Sequence, residues 1–165
     1  MMPEKIQSAY FEGNAKKLCR ELSQVPFGER IAIQGMEQGR TIEGYMIVEI
    51  VQPTSEEIEL FRKASREHRE FDMVRVGDNK KIIKGGGHNI DPRGAREVLE
   101  KWRNIAGERS VSHTHWDTSK DPFPSYSDRM EFLSLMYERP DLECRVVFQA
   151  EREIRTFLYV GELEK

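Results

Sequence analysis

The sequence predicts an α/β protein with a mixed β-sheet flanked by helices. Apolar residues at helical spacing alternate along the chain with short stretches that favour strands, and two strand patterns close it. Strands separated by a helix can pair in parallel, whereas strands joined by a short turn pair antiparallel, so we expect both kinds of pairing. At 165 residues the chain is most simply one domain, residues 1–165, that is long enough to bury a core.

The N-terminal part of the chain predicts a helix followed by a hairpin. Between Pro3 and about Gln24, apolar residues fall three to five positions apart, which suits one face of a helix. Gly13 and Asn14 weaken the middle of this helix and could split it into two pieces. A proline and a glycine then end it, and residues 29–35 and 41–51 favour two strands joined by a turn that contains glycine.

A second helix and a second hairpin follow. Thr54 with Glu57 three residues later forms the pattern of a capping box, and a charged helix extends from there to about Glu70. This helix carries few apolar residues, which indicates shallow packing. Residues 71–76 and 81–84 favour two short strands around a turn. The glycine run that comes next lacks the Lys-Ser/Thr of a phosphate-binding loop, so we interpret it as a flexible joint.

The C-terminal half alternates helices with strands and ends in a hairpin. Asp91 and Pro92 form a strong helix start, because Asp caps well and Pro suits the first helical position, and Gly107 marks the end. Trp102 lies on the apolar stripe of this helix, which indicates a core position. The remaining elements are a strand that carries His113 and His115, a loop from Trp116 to Pro124, a helix from Ser125 to about Glu138, and strands over residues 143–150 and 153–160.

Composition and charge exclude several functional classes. The formal net charge of −3 gives no general attraction to nucleic acid or to anionic membranes. No apolar run approaches the roughly 20 residues of a membrane span, and the N-terminus lacks the apolar core of a signal peptide, so we expect a cytoplasmic protein. Cys19 and Cys144 lack the spacing of a zinc or redox motif, and we predict two free thiols, one in a helix and one in a strand.

One stretch carries a pattern typical of a metal site. His113 and His115 are separated by one residue on a predicted strand, so their side chains point to the same face and can hold one ion. Asp128 follows from the first turn of the next helix, and two nitrogens with one oxygen make a zinc site that leaves the fourth position for water. Ordinary explanations remain open, since Ser125 is also a good N-cap and Asp128 a favourable first-turn carboxylate.

The pattern His113-Thr114-His115, a proline-bearing loop and Ser125-x-x-Asp128 resembles the His-x-His…Ser-x-x-Asp motif of the JAMM (JAB/MPN) metalloproteases. The resemblance implies that His113, His115 and Asp128 hold Zn²⁺. It also implies that Ser125 stabilises the tetrahedral intermediate. The general base in this family is a glutamate at the start of an early strand, a few residues before a glycine, and Glu29 matches that position.

The resemblance further implies a cytidine-deaminase-like fold and a zinc-dependent peptidase or isopeptidase. Its partner would be a ubiquitin-like or sulfur-carrier protein, cut after the C-terminal tail. The chain differs from the family pattern in a longer spacer between His115 and Ser125 and in Trp116, which stands where a proline commonly follows the second histidine. Two alternatives stay open, a non-catalytic scaffold and a DNA-repair or phage-associated interaction module. A nucleoside deaminase is disfavoured, because the chain lacks Pro-Cys-x-x-Cys.

Overall fold

The computed structural model describes residues 6–9, 15–37, 40–87, 89–120 and 122–163 of the chain. Within these ranges it contains eight β-strands and four α-helices. The strands are β1 Ile6–Ala9, β2 Arg30–Glu37, β3 Arg40–Val51, β4 Phe71–Val76, β5 Asn79–Lys84, β6 Arg109–Thr114, β7 Leu142–Ala150 and β8 Glu153–Leu163. The helices are α1 Ala15–Ser23, α2 Ser55–Glu67, α3 Arg93–Lys101 and α4 Tyr126–Glu138.

The eight strands form one mixed sheet in the order β1-β2-β3-β8-β7-β6-β4-β5. The pairs β1–β2 and β6–β7 are parallel, and the other neighbouring pairs are antiparallel. Strands β6 and β7 are parallel because helix α4 carries the chain back between them, whereas short turns join the antiparallel hairpins. The predicted α/β class, with a mixed sheet flanked by helices, is confirmed.

The first predicted helix is partly wrong. Only its C-terminal part is helical, as α1, while Ile6–Ala9 forms strand β1 and pairs in parallel with β2, where Gln7 lies opposite Ile31. The apolar spacing in this region suits a helix, but pairing with the edge of the sheet outweighs that local preference. Gly13 and Asn14 lie outside the described residues.

The later elements follow the prediction closely. The three predicted hairpins are present as β2–β3, β4–β5 and β7–β8. Helix α2 begins with the predicted capping box, in which the side chain of Thr54 accepts from the backbone N–H of Glu57 and the Glu57 carboxylate accepts from the N–H of Thr54. Helix α3 begins at Arg93 with Pro92 in the cap position, one residue later than predicted, and Asp91 Oδ1 accepts a hydrogen bond of 3.0 Å from the N–H of Arg93.

The core lies mainly between the sheet and three helices on one of its faces. Leu22, Leu99 and Leu135, from α1, α3 and α4, belong to the same buried cluster as Val111 and Phe157 of the sheet. Helix α2 covers the other face. Its packing is deep rather than shallow, because Leu60 and Ala64 are buried against the strand residues Phe71 and Met73.

A buried carboxylate adds a second attachment of α2 to the sheet. Glu57 is 1 % exposed. Its two oxygens accept from the Nε and Nη2 of Arg145 at 2.9 and 3.0 Å, from Ser112 Oγ at 2.7 Å and from Thr156 Oγ1 at 3.3 Å. These partners belong to β7, β6 and β8, so one side chain joins the start of α2 to three neighbouring strands.

As predicted, the two cysteines form no disulfide, and both are buried, Cys19 in α1 and Cys144 in β7. Among the described residues, no helix combines the length and the apolar character that crossing a membrane requires.

Candidate metal centre

His113 lies within strand β6, and His115 lies just beyond the end of that strand. Both side chains are on the same face of the sheet. Their ring centroids lie 5.0 Å apart in an edge-to-face arrangement. The residue between them, Thr114, points to the opposite face, as strand alternation requires. Its hydroxyl accepts from the N–H of Phe71 at 2.9 Å and donates to the carbonyl of Phe71 at 3.2 Å. Thr114 thereby holds the end of β6 against the start of β4.

His113 is buried, and carboxylates face both of its ring nitrogens. Nδ1 lies 2.7 Å from Oδ1 of Asp72, the residue directly opposite on β4. Nε2 lies 3.4 Å from Glu70 Oε2 and 3.5 Å from Asp128 Oδ1. An ionised carboxylate can only accept, so the short contact to Asp72 assigns a hydrogen to Nδ1. In the neutral imidazole, the lone pair of Nε2 then faces the other two carboxylates.

His115 uses its two ring nitrogens in the same way as His113, with a different partner at Nδ1. Its Nδ1 lies 3.1 Å from the carbonyl oxygen of Pro122, which can only accept, so this nitrogen carries the hydrogen. Its Nε2 lies 2.9 Å from Asp128 Oδ2. Both histidines therefore direct Nε2 towards Asp128, as ligands to one ion would.

The start of α4 holds Asp128 in position. Ser125 is the N-cap, and its Oγ accepts from the N–H of Asp128 at 3.1 Å. The N–H of Ser125 donates to Asp128 Oδ2 at 3.0 Å, which completes a capping box. The Asp128 carboxylate thus takes part in the helix cap and also faces the two histidines, so the two roles are compatible.

Glu29 does not join this cluster. It immediately precedes β2, and the strands β3, β8 and β7 lie between β2 and β6. Four strand spacings correspond to roughly 19 Å along the sheet. The carbonyl of Glu29 accepts from the N–H of Ile50 at 2.9 Å, which ties it to the β2–β3 hairpin. A general base must lie within hydrogen-bond reach of the water that it activates, so this topology does not support the prediction that Glu29 is the general base.

Glu70 occupies the place that was predicted for Glu29. It lies just before β4, and β4 pairs directly with β6. The N–H of Glu70 donates to the carbonyl of Gly86, and its carbonyl accepts from the N–H of Gly85, both at 2.8 Å. A Cβ on Gly85 would lie 2.5 Å from the carbonyl oxygen of Asn89, so this position requires glycine. The glycine run is therefore a packed extension of the hairpin rather than the flexible joint that we predicted.

A sequence signal for Glu70 exists, although it does not decide between the two glutamates. Glu70 immediately precedes a strand and stands a few residues before Gly77, much as Glu29 stands before Gly35. The choice depends on which hairpin pairs with β6, and that is a long-range contact. Asp72 has a weaker signal, its position two residues after Glu70, which places both side chains on one face of the strand.

Three carboxylate groups surround the two imidazoles, and the charges shift the pKa values of both kinds of group. Burial alone lowers the pKa of His113, but the nearby Asp128, Asp72 and Glu70 carboxylates together outweigh it and raise that pKa to about 10. Burial raises the pKa of Asp128, yet the charges of His113 and His115 more than offset it and leave that pKa well below its usual range. Burial raises the pKa of Glu70. A cation of any kind would relieve this excess of negative charge.

The donor atoms fit a small tetrahedral cation. Zinc bonds of about 2.0–2.1 Å place neighbouring tetrahedral ligand atoms about 3.4 Å apart, close to the separations measured from His113 Nε2. Glu70, His113 and His115 offer ligand atoms within 4.8 Å of one another. Asp128 is the better third ligand, because its carboxylate contacts the Nε2 atoms of both histidines, while the Glu70 contact is to His113 alone.

Trp116 forms part of the rim beside this cluster. Its ring stacks on His68 with the centroids 5.0 Å apart and the planes 7° from parallel. Its indole N–H donates to the carbonyl of Gly87 at 2.6 Å. Trp116 thus links the chain beyond β6 to the end of α2 and to the glycine run that holds Glu70.

No model of a known protein family, no curated protein and no solved structure matches the chain. The geometry of His113, His115, Asp128 and Glu70 is therefore the basis for assigning a function.

Proposed function

We propose that the chain is a zinc-dependent hydrolase of amide bonds, a peptidase or isopeptidase of the JAMM type. The observation that carries this proposal is the convergence of His113, His115, Asp128 and Glu70 at one edge of the sheet. The order of elements supports it, since the His-x-His pair lies at a strand end and Ser-x-x-Asp opens the next helix. A cytidine-deaminase-like JAB/MPN arrangement is the finer description of the fold that we propose.

His113, His115 and Asp128 would hold the metal ion. Both histidines direct Nε2 towards Asp128, and Nδ1 of each is already engaged, with Asp72 for His113 and with the carbonyl of Pro122 for His115. Such outer partners fix the tautomer that a metal requires. A bound zinc ion would supply Lewis-acid chemistry, which activates water near neutral pH and polarises a carbonyl.

Glu70 would act as the general base. Its side chain is 11 % exposed and lies 3.4 Å from His113 Nε2, at the border of the proposed metal ligands. In the reaction, the oxygen of a water molecule bonds to the scissile carbonyl carbon and the C–N bond breaks. Glu70 takes the proton that the water loses and passes it to the leaving nitrogen. Burial raises the pKa of Glu70, which makes it a better proton acceptor.

Ser125 would stabilise the charge that develops on the carbonyl oxygen. Its Oγ accepts from the N–H of Asp128 through a lone pair. The hydroxyl hydrogen therefore stays available to donate to the carbonyl oxygen of the substrate. Ser125 is exposed and is fixed by the capping box beside Asp128. A donor held in this way needs no reorganisation when the oxygen becomes anionic.

The substrate that we propose is the C-terminal tail of a ubiquitin-like or sulfur-carrier protein. The test is incubation of zinc-loaded protein with a panel of such proteins carrying C-terminal amide fusions, with the product masses as the readout. Cleavage directly after the tail, lost with a chelator and in His113→Ala, would support the proposal. His68→Ala is the matched control, because His68 contacts Trp116 on the rim and should leave metal content unchanged. Failure to cleave any fusion by a protein that holds zinc would overturn the assigned substrate class.

A further inference from the structure

We propose that Asp72 is a positioning residue that orients His113 for metal binding, and that its charge makes His113 the stronger of the two histidine ligands. This inference rests on the metal centre proposed above. Asp72 does not belong to the motif that predicts that centre.

Backbone register places Asp72 against His113. The two are direct partners across β4 and β6, and both side chains lie on the same face of the sheet. Both are buried, at 5 % and 4 % exposure. The contact of 2.7 Å from Nδ1 to Oδ1 is short, as expected when the acceptor is ionised. A buried carboxylate is costly unless it is hydrogen-bonded, so this contact is needed by Asp72 itself.

Two carboxylates at the start of β4, one just before the strand and one within it, face the two nitrogens of the same imidazole. Glu70 and Asp72 are two residues apart and point to one face. Glu70 lies 3.4 Å from Nε2, while Asp72 lies 2.7 Å from Nδ1. A rotation of the His113 ring would break the contact at Nδ1, so the position of Nε2 is set by the pairing of β4 with β6.

The two histidines have unequal partners behind them. His113 faces an anion on a strand, whereas Nδ1 of His115 faces the neutral carbonyl of Pro122 in a loop. A carboxylate behind an imidazole draws its N–H proton towards itself and makes the opposite nitrogen a better electron donor than a carbonyl does. His113 should therefore contribute more to metal affinity than His115, although the His-x-His motif alone does not distinguish the two.

Asp72→Asn and Asp72→Ala separate the charge of this residue from its hydrogen bond. The Asn amide oxygen can still accept from Nδ1, while Ala offers no acceptor. Zinc affinity would be measured by competition with a chromophoric chelator, and ligand geometry by the visible absorption of the Co²⁺-loaded protein. We expect zinc affinity to fall by about 10- to 100-fold in Asp72→Asn and at least as far in Asp72→Ala, with a changed Co²⁺ spectrum.

Glu57→Gln is the matched control. Glu57 is also buried, and it bonds to Ser112, the neighbour of His113, on the opposite face of the sheet. It should lose fold stability while keeping zinc affinity and the Co²⁺ spectrum. Wild-type zinc affinity in both Asp72 variants, or an equal loss of affinity in Glu57→Gln, would overturn the proposal. Neither readout needs a substrate, so loss of zinc in the Asp72 variants would support this role even if no amide bond is cleaved.

Discussion

Replacing Glu57 by alanine should destabilise the fold strongly without changing the proposed metal ligands. The substitution leaves Arg145, whose side chain is 13 % exposed, without its bidentate partner, and it removes the acceptor for Ser112 and Thr156. Removing one partner of a buried ion pair costs about 3–5 kcal/mol. Arg145 keeps a contact of 3.0 Å to Glu143, which is 52 % exposed and so only weakly compensating, and we therefore expect about 3–4 kcal/mol.

The loss is large compared with the stability of an ordinary domain, about 5–15 kcal/mol. For a chain of this length, each kcal/mol lowers Tm by about 2–4 °C, so a decrease of roughly 6–16 °C should follow. Urea unfolding followed by circular dichroism gives the free energy directly. Glu143→Ala is the control, since it removes an exposed partner of the same Arg145 and should cost below about 1 kcal/mol. Equal losses in the two variants would refute the assignment of Glu57 as the anchor of α2.

Three further predictions concern proton transfer, pH and thiol reactivity. Glu70→Gln should keep zinc and lower kcat by about 10²–10⁴-fold, whereas Glu29→Gln should leave kcat unchanged, and the opposite result in a steady-state assay would restore Glu29 as the base. In metal-free protein, the pKa of His113 is raised from 6.5 to about 10, so its stabilising contribution is full below pH 6.5, declines as the pH rises and is lost above pH 10. Urea unfolding with a chelator present tests this, and a rise in stability over that interval that His113→Gln abolishes would contradict it. Because burial raises the pKa of the Cys144 thiol, an alkylating reagent should label it only after unfolding, as mass spectrometry of timed samples would show.

Local patterns were sufficient to predict that the proposed metal ligands lie close together. The alternation of a strand puts His113 and His115 on one face, and the preference of Ser125 and Asp128 for the first turn of a helix brings the carboxylate to the same edge. Both rules act over a few residues, so the sequence carries them directly. The fold class could be predicted for the same reason, because helix and strand periodicities are local.

Long-range pairing explains what the sequence did not reveal. Glu29 and Glu70 begin similar hairpins, and only the position of β4 beside β6 selects Glu70. The same applies to Ile6–Ala9, which becomes a strand because β2 offers it an edge. Gly85 gave the appearance of flexibility, although its lack of a side chain serves close packing against Asn89.

The alternation along β6 has a consequence for folding. Ser112 faces Glu57 and α2, while His113 faces Asp72 on the other side of the sheet. A slip of one residue would exchange these environments, with a hydroxyl placed among the carboxylates and an imidazole pressed against Glu57. Such a misaligned sheet would lack the proposed metal centre, so the uptake of Co²⁺ during refolding should report the moment at which β6 reaches its native register.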